Sequence, residues 1–173
     1  MACVLTSGHT LGCRDAVGGI KAVYLTELAN KDTITATAGN ISAFVLADGK
    51  QFWLYELEKE TAECVEKIQT SVENGTVFYE TELKIMLHKR SVALRNELML
   101  VAQNRLMIMV LDRNGNYWLM GENNGADLSP SESPFGKAMG DASGYSLTFL
   151  AKETAPMQTV AANLIATLTA PAA

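Results

Sequence analysis

From Val77 to His88 the chain alternates without a break. Val77, Tyr79, Thr81, Leu83, Ile85 and Leu87 fall on one parity, and Phe78, Glu80, Glu82, Lys84, Met86 and His88 on the other. Period-two alternation over twelve residues predicts a long strand with one face toward a core. Just before it, Glu73-Asn74-Gly75 is a hairpin turn signal. Residues 58–72 are ambiguous on their own. Leu57, Thr61, Cys64, Val65, Ile68 and Val72 fit a helical stripe, whereas a strand puts Ala62, Cys64, Ile68 and Val72 on one face. The turn and the need of a long strand for a long partner favour the strand, and so a hairpin.

Other segments are read from shorter patterns. Ile20–Leu28, Thr33–Thr37 and Ile41–Leu46 predict strands. Asp48-Gly49-Lys50 marks a tight turn before Gln51–Leu57, whose Phe52, Trp53 and Tyr55 favour extended backbone. Ser91 is a plausible N-cap for a helix to about Gln103, with Leu94, Leu98, Val101 and Ala102 as its apolar stripe. The unbroken apolar run Leu106–Leu111 predicts a buried strand. The turn Asp112-Arg113-Asn114-Gly115-Asn116 then leads into Tyr117-Trp118-Leu119-Met120 as a second hairpin. Residues 122–143, rich in Gly, Pro, Ser and Asp, predict a long loop. Gly144–Leu150 predicts a strand with Tyr145, Leu147 and Phe149 on one face, and Val160–Leu168 is a last strand or a short helix. The expected organisation is an extended arm at 1–19, a single domain at 20–168 and a frayed tail at 169–173. The expected fold class is mainly β, a two-sheet sandwich or barrel of long antiparallel strands with one flanking α-helix.

Composition narrows the function classes. The chain has 173 residues, 48% hydrophobic and 19% charged, which describes a folded chain and not a disordered one. A formal net charge of −5 argues against tight wrapping of nucleic acid, which needs clustered Lys and Arg. The charge is unevenly spread: between Glu56 and Glu82, eight glutamates against two lysines leave −6. The next stretch is basic, with Lys84, Lys89, Arg90, Arg95 and Arg105. An acidic hairpin face is either an ordinary solvated surface or a directed field that a ring would repeat around its axis. No segment approaches the roughly 18 consecutive apolar residues of a membrane span, and the N-terminus does not read as a signal peptide. A soluble protein made in the cytosol, without a membrane anchor, is expected.

Catalytic signatures are missing. There is neither a phosphate loop nor a nucleophile elbow, and the glycines at 115, 121 and 125 do not match a dinucleotide fingerprint. His9 falls in the arm and His88 ends the long strand, with no nucleophile nearby to serve. Cys3, Cys13 and Cys64 are odd in number and not spaced as zinc ligands. No catalytic residue, metal or cofactor is expected.

One resemblance emerges from motif order. Tyr117-Trp118-Leu119-Met120-Gly121, a Gly/Ser-rich loop, Gly136–Phe149 with its Gly-Tyr-Ser-Leu-Thr-Phe strand, and then Glu153 and Pro156 resemble the C-terminal half of phage tail tube proteins. The helix with Arg95-Asn96-Glu97-Leu98 and the Leu106–Leu111 strand precede these in the expected order. The resemblance covers about residues 50–157.

What the resemblance implies is a structural subunit of the virion tail. Such subunits form hexameric rings that stack into a hollow conduit for genome ejection, commonly with an acidic lumen. Glu56, Glu58, Glu63, Glu66, Glu80 and Glu82 are then candidates for that lumen. Candidates for contacts between subunits are Lys84, Lys89 and Arg90, and Asp127 and Asp141 from the long loop. The implied partners are copies of the chain, other tail or neck proteins, and DNA passing without tight binding. Two alternatives stay open: another virion part such as a neck, tail-terminator or decoration protein, or a small-ligand-binding β-barrel.

Overall fold

The computed structural model describes residue 5 and residues 7–170. The start of the expected arm, including Cys3, and the last three residues of the expected tail lie outside the described residues. Residues 7–18 are exposed and form neither helix nor strand.

Strand β1 (Ile20–Glu27) passes through a 3-10 turn at Leu28–Asn30 into β2 (Lys31–Thr37) and β3 (Asn40–Leu46). β4 (Trp53–Glu56), β5 (Ala62–Ser71) and β6 (Thr76–His88) lead to helix α1 (Val92–Gln103). β7 (Leu106–Asp112), β8 (Tyr117–Met120), β9 (Ala126–Leu128), β10 (Gly144–Glu153) and β11 (Gln158–Val160) precede α2 (Ala162–Leu168). The protein is therefore mainly β, and its strands form one mixed sheet of eleven. Among the described residues only the pairing of β11 with β3 is parallel.

The centre of the sheet is β7. Its continuous apolar run is buried on both faces, as such a run predicts. Leu106, Ile108 and Val110 face one core, with Val23, Leu25, Leu83, Ile85, Leu147 and Phe149. Met107 and Met109 face the other, with Ile41, Phe44, Phe52, Leu119, Val160 and Leu168. One edge of β7 pairs with β1, which in turn carries β4. Along the other edge lie first β8 and then β9, each meeting a different part of β7. There the sheet forks. One wing runs β8-β11-β3-β2 and the other β9-β10-β6-β5. The two layers expected from the sequence are thus wings of one sheet, each covering its own core.

Gly121 sits at the fork. Its φ is +77°, and a Cβ there would lie 2.7 Å from Ala126 N and 2.8 Å from Leu106 O. Those two residues are the β7–β9 pair. Only glycine allows the backbone to leave β8 and come back onto β7 within six residues.

The hairpin of β5 and β6 forms in full register, from Ala62 opposite Ile85 to Ser71 opposite Thr76. The helix forms as well: Ser91 Oγ accepts from Leu94 N at 3.0 Å, and Leu98 and Val101 are buried in the first core. Ala102, placed on the stripe by spacing, is exposed. Of Val160–Leu168, Val160 ends strand β11 and Ala162–Leu168 forms helix α2, whose Leu168 O accepts from Phe52 N at 2.8 Å.

Two local expectations change. The turn at Asp48-Gly49 exists, with Lys50 N donating to Ala47 O at 3.0 Å. Its flanking strands do not pair with each other, because β4 takes the free edge of β1 instead. Phe52 is buried in the second core edge-on to Phe44 of β3, and its backbone N donates to Leu168 O and not to β3. The loop expected at 122–143 contains β9, which three residues were too few to reveal, and a further bridge between Glu132 and Ser146.

Candidate functional site: the β5–β6 hairpin and its outer face

The hairpin has two faces set by register. Ala62, Cys64, Glu66 and Ile68 share the inner face with Ile85, Leu83, Thr81 and Tyr79. β10 extends it with Leu147, Phe149 and Ala151. The outer face carries Glu63, Val65 and Lys67 opposite Lys84, Glu82 and Glu80, and beside them Thr148, Leu150 and Lys152 of β10.

That outer face is a checkerboard of charge. Lys67 Nζ and Lys84 Nζ each lie 2.9 Å from a carboxylate oxygen of Glu82. Lys152 Nζ lies 3.3 Å from Glu80 Oε2. Hydrogen bonds from the two lysines pull the Glu82 carboxyl down to about 2. Three glutamates, Glu63, Glu80 and Glu82, are thus balanced by three lysines, Lys67, Lys84 and Lys152. The −6 counted along the chain does not become an acidic surface here, because only three of those eight glutamates and one of the two lysines share this face, and Lys84 and Lys152 from outside the stretch balance the rest.

The six candidate glutamates are not brought together. Glu56 is on β4 opposite Ala22, and Glu58 is in the turn before β5. Glu66 turns to the inner side, where Oε1 accepts from Met157 N at 2.7 Å. Only Glu63, Glu80 and Glu82 share the outer face.

Of the candidate contact residues, four make side-chain interactions within the chain. Lys84 is tied to Glu82. Arg90 stacks 3.6 Å above the ring of Phe135 and donates to Ser133 Oγ at 2.6 Å. Asp127 lies 3.9 Å from Arg105 Nε. Asp141 Oδ2 accepts from Lys137 N and Ala138 N, both at 2.7 Å, and those backbone bonds hold its carboxyl below the usual range. Lys89 sits in a turn at φ +64° and is exposed.

The distal hairpin is the feature that charge counting missed. β10 ends opposite Tyr79, so beyond Ile68 and Tyr79 the hairpin has no third strand. From Ile68 to Val72 it projects roughly 13 Å, at about 3.3 Å per residue. Ile68 is 65% exposed, Val72 96% and Val77 55%, with Phe78 and Val65 also exposed. β5 ends its wing, so one edge of it is unpaired. The legible signal was the apolar content of both parities around the Asn-Gly turn, which a half-buried strand does not need.

Among the described residues no group of His, Cys, Asp and Glu is arranged to hold a metal ion, and no helix is long and apolar enough to cross a membrane. Comparison with protein families, with curated proteins and with solved structures finds no match for the chain.

Proposed function

We propose that this protein is a structural subunit that joins copies of itself into rings, stacked as a hollow tube of the phage tail type. The observation that carries the reading is the projecting hairpin. An unpaired strand edge with exposed valine, isoleucine and phenylalanine on both faces is a pairing surface, and solitary proteins normally blunt such edges. Lateral pairing of the hairpin with a neighbour in a closed ring hides the edge and the apolar side chains together.

The outer face suits a conduit for DNA in a different way from the one charge counting suggests. Phosphates are retained by unpaired Lys and Arg. Here each lysine of the β5-β6-β10 face is held by a glutamate, so a lumen lined by this face offers DNA polar, neutral walls. Sliding then depends on paired charge rather than on repulsion by a net acidic surface.

The test is electron microscopy and sedimentation of the purified full chain over a concentration series. Rings or hollow tubes are expected. A protein that stays monomeric at every concentration, with and without a stack-initiating partner from a tail, overturns the reading.

A further inference from the structure

Buried polar atoms ordinarily find a hydrogen-bond partner. Among the described residues three buried side-chain oxygens accept no hydrogen bond, one each on Gln51, Glu153 and Gln158. Two of these residues, Glu153 and Gln158, line one and the same cavity. Its volume is about 20 Å³, room for one water-sized particle. It lies where the sheet forks. Glu153 is the last residue of β10 and Gln158 the first of β11, while Gly121 and Asn123 come from the loop after β8. Thr81 of β6, itself buried, adds a hydroxyl to the lining.

The Glu153 carboxylate is fixed in place through its other oxygen. Oε1 accepts from Asn123 N at 3.0 Å and from Asn124 N at 2.8 Å, and Asn124 Nδ2 donates to Lys152 O at 2.7 Å. Oε2 is left over, buried and without a donor. Among the described residues no lysine, arginine or histidine lines the cavity. Lys31, which grips the same loop, donates instead to Glu122 O at 2.8 Å and Asn123 Oδ1 at 3.2 Å. A water could donate to both orphaned oxygens, but it would leave the carboxylate charge uncompensated. A buried charge is costly unless it is paired or coordinates a metal.

We propose that the cavity at the fork binds one hard cation, calcium, with Glu153 Oε2, Gln158 Oε1 and the Thr81 hydroxyl as ligands. One carboxylate, one amide oxygen and one hydroxyl form an all-oxygen set, which suits calcium and not zinc or copper. Magnesium is the poorer guest, because it keeps several waters and the cavity has no room for them. A site with so few charges binds weakly, with a dissociation constant of about 10⁻⁴–10⁻³ M. The ion joins the two wings. Glu153 and Thr81 belong to the wing of β6 and β10, and Gln158 to the wing of β8 and β11. The site stands whether or not the subunits assemble.

The test is calorimetric titration of the dilute, chelator-treated full chain with calcium chloride and, separately, magnesium chloride, followed by thermal melts with and without calcium. One calcium per chain is expected, bound at least tenfold more tightly than magnesium, with a rise in melting temperature. Glu153→Gln separates the site from surface carboxylates. Its amide oxygen can still accept from Asn123 N and Asn124 N, while its amide nitrogen can donate to Gln158 Oε1. The variant should therefore melt no lower than the calcium-free parent and lose calcium affinity at least tenfold. Gln158→Met removes only the amide oxygen at the other wing and carries the same expectation for affinity, so the test stands even where Glu153→Gln does not fold. A parent indifferent to calcium, as a cavity holding water or closed by a half-turn of the Gln158 amide toward Glu153 would be, overturns the site. Calcium binding that survives in both variants overturns it as well, because the ion then sits elsewhere.

Discussion

Lys67 and Glu82 meet diagonally across the β5–β6 pair, Nζ to Oε2 at 2.9 Å, although Lys67 is in register with Glu80. The diagonal leaves Glu80 free to take Lys152 from β10, so one small displacement in pairing balances the whole face.

This pairing sets a pH dependence. The Glu82 carboxyl is lowered from 4.5 to about 2 by the two lysines. A lowered folded-state value means that the contribution is complete above about pH 4.5 and is lost as pH falls through about 2. Carbon-detected NMR titration of the Glu82 side chain should show the low midpoint, and Lys67→Met should move it upward. A midpoint near 4.5 in the unaltered protein would contradict the geometry. The residue is at the surface, so the change in melting temperature should be small.

Removing the carboxylates should make the outer face adhesive. Glu80→Gln with Glu82→Gln leaves Lys67, Lys84 and Lys152 without their partners. Retention of double-stranded DNA in a gel-shift assay at low salt is expected for this variant and not for the parent. It should weaken steeply between 50 and 200 mM salt, as counterion release requires. Equal behaviour of the two proteins would disconnect the face from DNA.

The projecting hairpin should matter for assembly and not for folding. Ile68→Lys with Val77→Glu changes two exposed side chains, one at the last register of the third strand and one beyond it. Their effect on the unfolding free energy of the isolated subunit should stay within about 0.5 kcal/mol each. Rings should nevertheless be lost in sedimentation velocity. Persistence of rings would place the contact elsewhere.

The fork should be sensitive to one methyl group. Gly121→Ala puts a Cβ against the backbone of Leu106 and Ala126 and asks alanine to adopt φ +77°. A left-handed residue alone costs on the order of 1–3 kcal/mol, and the neighbouring backbone has no flexible end to yield. Chemical denaturation should show at least about 2 kcal/mol of lost stability. The variant should also lose amide protection at Ala126 and Leu128 before the rest of the sheet.

The two described cysteines should differ in reactivity. Cys13 is exposed, whereas burial and then the nearby Glu66 push the Cys64 thiol up to about 11. An ordinary thiol titrates near 9. Alkylation of Cys64 by iodoacetamide at pH 8 should therefore be roughly a hundred times slower than for such a thiol. Because the folded-state value is raised, Cys64 favours folding fully below its unfolded value near 9. That contribution falls as pH rises through 11. Labelling of the Cys3→Ser protein, followed by intact-mass measurement, reads the rates directly.

Much of this fold is written in local pattern, and the rest is not. Period-two alternation from Val77 to His88, the Asn74-Gly75 turn and the Ser91 cap act through neighbours in the chain, so β6 and α1 could be read directly, whereas β5 was ambiguous with a helix and followed only from the need of β6 for a long partner. The unbroken run Leu106–Leu111 announced a strand with two buried faces, which β7 is. Composition gave the number of glutamates between Glu56 and Glu82, but a count along the chain carries no face. Register sends Glu66 inward and Glu82 outward, and Lys152 reaches Glu80 only because β10 lies beside β6. The same holds for β4, whose partner is β1 and not the strand just before it, and for β9, whose three residues have a place only at the fork. Elements stabilised by adjacent residues were determined by the sequence alone. Pairings that close across many tens of residues were decided by which edges and cores the folded sheet left open, and the neutral face and the cavity at the fork belong to that second group.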